Sequence, residues 1–229
     1  DHVHDMADIM ARAKHYSPDE APGTSDMLLA LIADDVGFGN LENVTLEVSA
    51  DFPALLALNL ANQGINVRPT GGTLFPERAI KSKDEVAAIR KAQQINEKGH
   101  QRAYDILKEA TIGKNDVLMW QGEVLTSERL AGEMNAEIAR HGGIPMSGGP
   151  IVACGAQSAD PHERGHGPLY AHQFIIIDSW PMDAKSFYYG DLTRTYIKGE
   201  ATAEQLKMYN AVKDAQQLGL DMIKAGETG

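Results

Sequence analysis

The sequence predicts an α+β fold, and three observations carry that prediction. Beyond a Pro- and Gly-rich break, the elements read helix, helix, strand, loop, hairpin and helix, the order of an antiparallel sheet covered on one face by helices. Ahead of the break, a shorter stretch reads strand, helix, strand, the pattern of a smaller α/β unit. A hydrophobic content of 43% over 229 residues is ample for packed cores of that size.

The N-terminal stretch reads Asp1-His2-Val3-His4-Asp5, without an initiator Met or a basic and apolar leader, and Gly226-Glu227-Thr228-Gly229 closes directly on a helical pattern. Both ends are expected to be cut. From Val44 to Val48 the β-branched, alternating character predicts a strand, and Asp51-Phe52-Pro53 opens an apolar-periodic helix ending near Gly64. Ile65 to Arg68 resumes as a strand. Pro69-Thr70-Gly71-Gly72 and Pro76 make residues 69–80 the linker, so the expected domains are 1–74 and 75–229.

Past the linker, Ser82-Lys83-Asp84-Glu85 is a capping box, in which the Ser hydroxyl and the Glu carboxylate serve orphan amides reciprocally at a helix start. Val86, Ile89, Ile95, Ala103, Ile106 and Leu107 recur at helical spacing on the inward side of that long helix. A second helix runs from about Thr126 to His141. The Gly- and Pro-rich run from Gly142 to Pro150 has no Gly-Lys-Ser/Thr and no helix signal after it, so it is a connection and not a phosphate cradle. Ile151 to Gly155 reads as a strand that holds Cys154 as a buried apolar residue. Phe174 to Trp180 and Phe187 to Ile197 read as the two arms of an antiparallel hairpin turning around Pro181 and Lys185, with Phe187, Tyr188 and Tyr189 as sheet packing. Thr202-Ala203-Glu204-Gln205, another capping box, opens a last helix to Gly226.

Charge and composition exclude several classes of partner. Lys and Arg number 21 against 32 Asp and Glu, a net charge of −11, and no basic stripe is present to hold phosphates, so nucleic acid is not an expected partner. The longest apolar runs, Met27 to Ile32 and Phe174 to Ile177, fall far short of the roughly 20 residues of a membrane span. A single cysteine forms no intrachain disulfide, which favours the cytoplasm. Asn43-Val44-Thr45 is read as a chance sequon.

The residues that carry chemistry sit in the hairpin. Asp178 ends Ile175-Ile176-Ile177, and a carboxylate placed after three branched apolar residues calls for a cation, a metal ion or a proton to offset its burial. Asp191 lies 13 positions further, on the other arm, where the hairpin faces it toward Asp178. Like charges held together are stable with hard divalent cations between them. The plain alternative is a strand Asp paired with Arg194 or solvated at the rim. Asp183 reads as a turn residue. In Asp160-Pro161-His162-Glu163-Arg164-Gly165-His166, the prolines and glycines rule against a helical histidine pair.

Ala79-Ile80-Lys81-Ser82-Lys83-Asp84-Glu85 with its long helix, Ile176-Ile177-Asp178, and Tyr189-Gly190-Asp191-Leu192-Thr193-Arg194-Thr195 resemble the pita-bread metallopeptidases that include Xaa-Pro aminopeptidase and prolidase. The likeness spans roughly Phe75 to Gly229. It implies that residues 75–229 are the first half of a pita-bread domain and residues 1–74 the C-terminal part of a creatinase/prolidase-like N-terminal domain. It further implies two divalent metal ions (Mn, Co or Zn, with Mn favoured), Asp178 chelating one and Asp191 bridging both.

Pro161-His162 matches the family's active-site loop, which makes His162 the group that hydrogen-bonds substrate and steadies the tetrahedral intermediate. His166 is read as an exposed loop residue. The family's remaining ligands, one His and two Glu, belong to the second half of the domain, so the 229 residues alone are expected to be inactive. The implied activity of the full-length protein is Xaa-Pro aminopeptidase or dipeptidase action on small peptides, as a homodimer. A non-catalytic scaffold or a metal-independent, creatinase-like amidinohydrolase are the alternatives. The spacing of the two aspartates is longer here than in many members, but an insertion of even length keeps both side chains on one sheet face.

Overall fold

In the computed structural model, residues 5–18, 20–36, 41 and 44–228 are described; Asp1 to His4 of the N-terminal stretch and Asn43 of the sequon lie outside them. The chain divides into two units, Asp1–Ile80 and Lys81–Gly229. In the first, α1 (Met6–Ala13) begins at Asp5, whose side chain accepts the Ala7 amide, and α2 (Thr24–Val36) is tied to it by the Arg12–Asp34 ion pair. No sequence expectation covered these two helices. β1 (Thr45–Val48) and β2 (Asn66–Pro69) then pair in parallel with α3 (Ala54–Asn62) between them, the expected strand-helix-strand unit. Its core is Leu29, Leu60 and Ile65, with Leu46, Phe52 and Val67 against them.

The second unit is built on α4 (Lys83–Glu109), which starts at the expected capping box: Ser82 accepts from the Glu85 amide at 3.2 Å and Glu85 accepts from the Ser82 amide at 2.8 Å. α5 (Ser127–Arg140), capped by Thr126, packs along it. The two backbones approach closely at Gly99, where a Cβ would lie 2.8 Å from Ile138. Between the helices runs a small meander absent from the sequence reading, β3 (Thr111–Ile112), β4 (Leu118–Trp120) and β5 (Glu123–Val124).

After α5 come β6 (Gly143–Ile144), β7 (Ile151–Cys154), β8 (Ile175–Ser179), β9 (Met182–Asp183), β10 (Leu192–Tyr196) and the helix α6 (Ala203–Met222). The main sheet is antiparallel in the order β10-β8-β7. Val152, Cys154, Ile175 and Ile177 face Ala103, Ile106 and Leu107 of α4 and Leu130 and Met134 of α5 across one buried core. Cys154 is the buried strand residue expected. This is the predicted arrangement, helices covering one face of an antiparallel sheet.

The hairpin keeps a single register along its length. Tyr196 pairs with Ile175, Thr193 with Asp178 and Leu192 with Ser179, and beyond the regular strands Met182 still bridges Tyr189. Trp180 therefore stands across from Asp191. The tip is tighter and further out than expected: Asp183 accepts the Phe187 amide on its carbonyl, and its carboxylate takes the Ser186 amide at 3.0 Å and hydroxyl at 2.6 Å. Asp183 is thus the turn residue anticipated, and β9 also pairs with β6.

The aromatic run differs from expectation. Phe187, at φ 59°, and Tyr189 are exposed at 66% and 56%; Tyr189 lies two residues before Asp191 and so shares the sheet face that the helices do not cover. Tyr188 is half-buried and donates to Glu85 at 2.6 Å. α6 ends at Met222, short of Gly226, where backbone φ and ψ turn extended at Ile223.

Helix α4 holds both arms of the hairpin. At Gly190 the backbone passes so close to α4 that a Cβ would lie 2.6 Å from the Ala92 carbonyl oxygen, and the next amide, that of Asp191, donates to Gln93 Oε1 at 2.9 Å. One and two turns on, Asn96 donates to the Ser179 carbonyl at 2.6 Å and accepts its hydroxyl at 2.5 Å, while His100 Nε2 lies 3.0 Å from the same hydroxyl. Substituting Gly190→Ala is expected to lower stability by about 1–3 kcal/mol through overpacking against backbone, read as a shift in the urea midpoint. Asn96→Ala is expected to cost about 1–3 kcal/mol because it strands the buried Ser179 groups, read in the same titration; a change within error would show the contact to be dispensable.

Candidate metal centre

Asp178 and Asp191 share the sheet face that α4 and α5 leave open. Burial alternates strictly along β8, with Ile175, Ile177 and Ser179 inside and Ile176 and Asp178 half-exposed. Thr193, directly opposite Asp178, donates its hydroxyl to Asp178 Oδ1 at 2.6 Å. Asp191 lies two residues before Thr193 and hence on the same face, diagonal to Asp178, a relation that sets strand residues roughly 7–8 Å apart. Arg194 pairs with Ile177, belongs to the other face, and donates to the Thr193 carbonyl at 2.8 Å. The plain reading of Asp178 as an Arg194 partner is therefore not what the fold builds.

The electrostatics agree with this closeness. Asp191 is exposed over part of its surface, yet burial of its carboxyl, and after that the charge of Asp178, raises its pKa above the ordinary 3.8. Two oxygen donors of like charge on one open face fit a hard divalent cation, which would turn their repulsion into binding. Among the described residues, no group of three or more His, Cys, Asp and Glu stands together as a metal site.

Behind the pair, on the covered face, is a buried polar cluster missing from the sequence reading. Asn96, His100 and Ser179 are all buried, and the His100 Nδ1 makes no hydrogen bond among the described residues. Burial pushes the His100 pKa down to about 4, with Arg194 adding to the fall; the nearby Leu192 backbone and the Asp178 charge oppose it. The ring is neutral at pH 7. Its folded pKa lies below that of the unfolded chain, so its contribution to stability is present above about 6.5 and lost as pH falls toward 4. The signal was available in the sequence, since Ala92, Asn96, His100 and Ala103 lie at helical spacing within the inward stripe of α4.

His162 lies on the loop that runs along the free edge of β7, where the Val152 amide donates to the Arg164 carbonyl at 2.9 Å. Its amide donates to Asp160 Oδ1 at 2.9 Å, a local turn, and the residue is exposed. No hydrogen bond among the described residues joins its ring to Asp178 or Asp191. The structure thus brings the two aspartates together and sets His162 on the loop beside their sheet. His166 has its side chain in solvent, 3.7 Å from Glu163, and its carbonyl accepts from Gln157. Among the described residues, no helix is long and apolar enough to cross a membrane.

Comparison with known proteins places this geometry. Among curated relatives, a probable Xaa-Pro aminopeptidase of Fusarium vanettenii is 32% identical over 154 residues, covering 65% of this chain and 29% of that protein. An uncharacterized peptidase of Staphylococcus aureus is 28% identical over 167 residues, 71% of this chain and 43% of that protein. Two solved structures share the fold: the X-Pro aminopeptidase from Thermotoga maritima (TM-score 0.68, 20% identity, 87% of this chain and 52% of that one) and the Xaa-Pro dipeptidase from Bacillus anthracis (TM-score 0.65, 22% identity, 88% and 52%). This chain spans about half the length of those structures and less than half of the curated relatives. What it matches in part is their pita-bread fold, the α+β architecture expected from the sequence. The model for metallopeptidase family M24 matches residues 87–229, which include most of α4 and both arms of the hairpin, and the chain belongs to that family.

Proposed function

We propose that the full-length protein is a metal-dependent peptidase acting on small Xaa-Pro peptides, as an aminopeptidase or dipeptidase, with Asp178 and Asp191 among the ligands of two divalent cations. The observation that carries this reading is the pair itself: two carboxylates on the open face of one hairpin, aligned by a register that α4 anchors. Cations bound there would supply Lewis acidity to the scissile carbonyl and to the attacking water.

The protein's own residues orient and stabilise. Thr193 fixes Asp178 by occupying Oδ1 and leaves Oδ2 for a cation, while the amide of Asp191 is held by Gln93. His162, on its exposed loop, is assigned to hydrogen bonding of the substrate and of the oxyanion formed on attack. Manganese is the favoured metal, with cobalt or zinc next. In the same reading residues 1–74 are the end of an N-terminal domain, the working protein is a cytoplasmic homodimer, and the 229 residues alone are inactive because they hold two of five ligands.

The deciding experiment measures bound Mn, Co and Zn in the purified full-length protein and assays Xaa-Pro dipeptides before and after chelation. Chelation is expected to abolish hydrolysis and the matching metal to restore it; activity undiminished by exhaustive chelation would sink the reading. Asp178→Asn and Asp191→Asn are each expected to cost more than the roughly 10–100-fold typical of outer metal-shell partners, with a matching drop in metal content.

Because the Asp191 pKa is raised in the fold, the folded chain holds this proton to higher pH than the unfolded chain does. The stability of metal-free protein should therefore fall as pH rises from the ordinary 3.8 through the raised value. Asp191→Asn is expected to remove that part of the pH dependence and to stabilise the metal-free protein at neutral pH, measured as Tm against pH for both proteins.

A further inference from the structure

The loop that carries His162 leaves the sheet at the end of β7 and returns along its edge, and one side chain ties the two arms together. Gln157 lies in the short 3-10 helix Gly155–Ala159 that follows β7. Its Nε2 donates to the His166 carbonyl at 3.0 Å, and its Oε1 accepts the His166 amide at 3.0 Å. A facing residue of an antiparallel strand makes that double exchange with its main chain. Here a side-chain amide makes it across nine positions of sequence and closes the ring 158–165, with His162 near its middle. Among the described residues, no other hydrogen bond joins residues 155–159 to residues 164–168.

The clamp has a firm base on the returning arm. The Val152 amide donates to the Arg164 carbonyl at 2.9 Å, the Gly167 amide donates to Glu128 Oε1 at 3.0 Å, and the Ser127 amide donates to the Gly167 carbonyl at 2.9 Å. On the outgoing arm, Gly155 turns the chain at φ 61° and its carbonyl accepts the Ser158 hydroxyl at 2.6 Å. Inside the ring the bonds are local. The Gln157 carbonyl takes the Asp160 amide at 3.3 Å, Asp160 Oδ1 takes the His162 amide at 2.9 Å, and Pro161 has its φ fixed between them. Gln157 therefore starts with its main chain the turn that presents His162, and closes the neck of that turn with its side chain. Gln157 is half-buried while the His166 side chain is in solvent, so the clamp grips the backbone at 166 and not the imidazole. A surface loop bound mainly to itself is ordered by how its ends are held, because each tie removed returns conformational freedom to the residues between.

We propose that Gln157 is a positioning residue for this loop: its amide holds residues 158–165 in the conformation that keeps His162 beside the open face of Asp178 and Asp191. The inference rests on the reading of His162 as the group that hydrogen-bonds substrate. A donor to a developing oxyanion works by standing in place before the attack, and misplacement by about 1 Å can cost about 100-fold in rate. Gln157 touches neither substrate nor cation in this scheme and acts through His162 alone.

The test uses the full-length protein and reads kcat and KM on Ala-Pro, amide hydrogen exchange over residues 158–165, metal content and Tm. Gln157→Met keeps the side-chain length and removes both bonds. It is expected to speed exchange within the ring and to lower kcat about 10–100-fold, with KM and metal content little changed. Gln157→Glu keeps the acceptor for the His166 amide and should fall between. His162→Ala is measured alone and combined with Gln157→Met, since a positioning residue adds no further loss once the group it positions is gone. Losses that multiply in the double variant, or exchange over residues 158–165 unchanged in Gln157→Met, overturn the proposal. Wild-type protein that cleaves no Ala-Pro, or a His162→Ala variant as active as wild type, overturns the underlying reading instead, and the exchange measurement still decides whether Gln157 holds the loop.

Discussion

The structure of the second unit depends on one line of contact, the face of α4 that presents Ala92, Asn96 and His100 to the hairpin. These residues are spaced by one helical turn each, and each meets a different point of the sheet. Ala92 admits the Gly190 backbone, Asn96 grips Ser179 through two hydrogen bonds, and His100 closes the cluster. The contact is polar at its centre and dry around it, flanked by Ile95, Ala103 and Ile106. Such a contact specifies register more sharply than apolar packing does, because a slip by one residue would leave buried groups without partners. Each anchored residue, Ser179 or Gly190, is the chain neighbour of one of the aspartates. The cost of burying polar atoms is offset on the side away from solvent, and the benefit is alignment on the side that faces it.

Much of this was legible in the sequence because it is written in local rules. Capping boxes at Ser82 and Thr202, the apolar stripe of α4, and the hairpin arms around Asp178 and Asp191 depend on residues close in the chain, and the fold reproduces them. The family likeness supplied the fold name, and the solved structures carry it. Less legible were features that depend on what comes near from elsewhere. Helical spacing puts Asn96 and His100 on the inward side of α4, but that they meet Ser179 there follows only from the partner surface. That Tyr189 is outside follows from which face of the hairpin the helices cover.

The two faces of the hairpin divide the electrostatic work. On the covered face, a buried imidazole stays neutral and Asn96 and Ser179 satisfy one another, so no net charge is placed in the core. On the open face, like charges are set close and one of them titrates higher for it. Strands make this separation simple, since adjacent residues such as Asp178 and Ser179 point to opposite sides. One three-residue stretch, from Asp178 to Trp180, therefore supplies a carboxylate, an anchor and an aromatic surface in turn.

The bridge between Met182 and Tyr189 lies beyond both aspartates, toward the tip. It closes the ladder before the turn begins, so the turn is insulated from the carboxylate face by a paired rung. Lys185, exposed at the apex between the Asp183–Ser186 contacts, is the point on the hairpin where added chain would disturb the least. In engineering terms, the hairpin offers a handle: a grafted epitope, a fluorescent label or a length variant at Lys185 would report on the site from the far side of a closed rung.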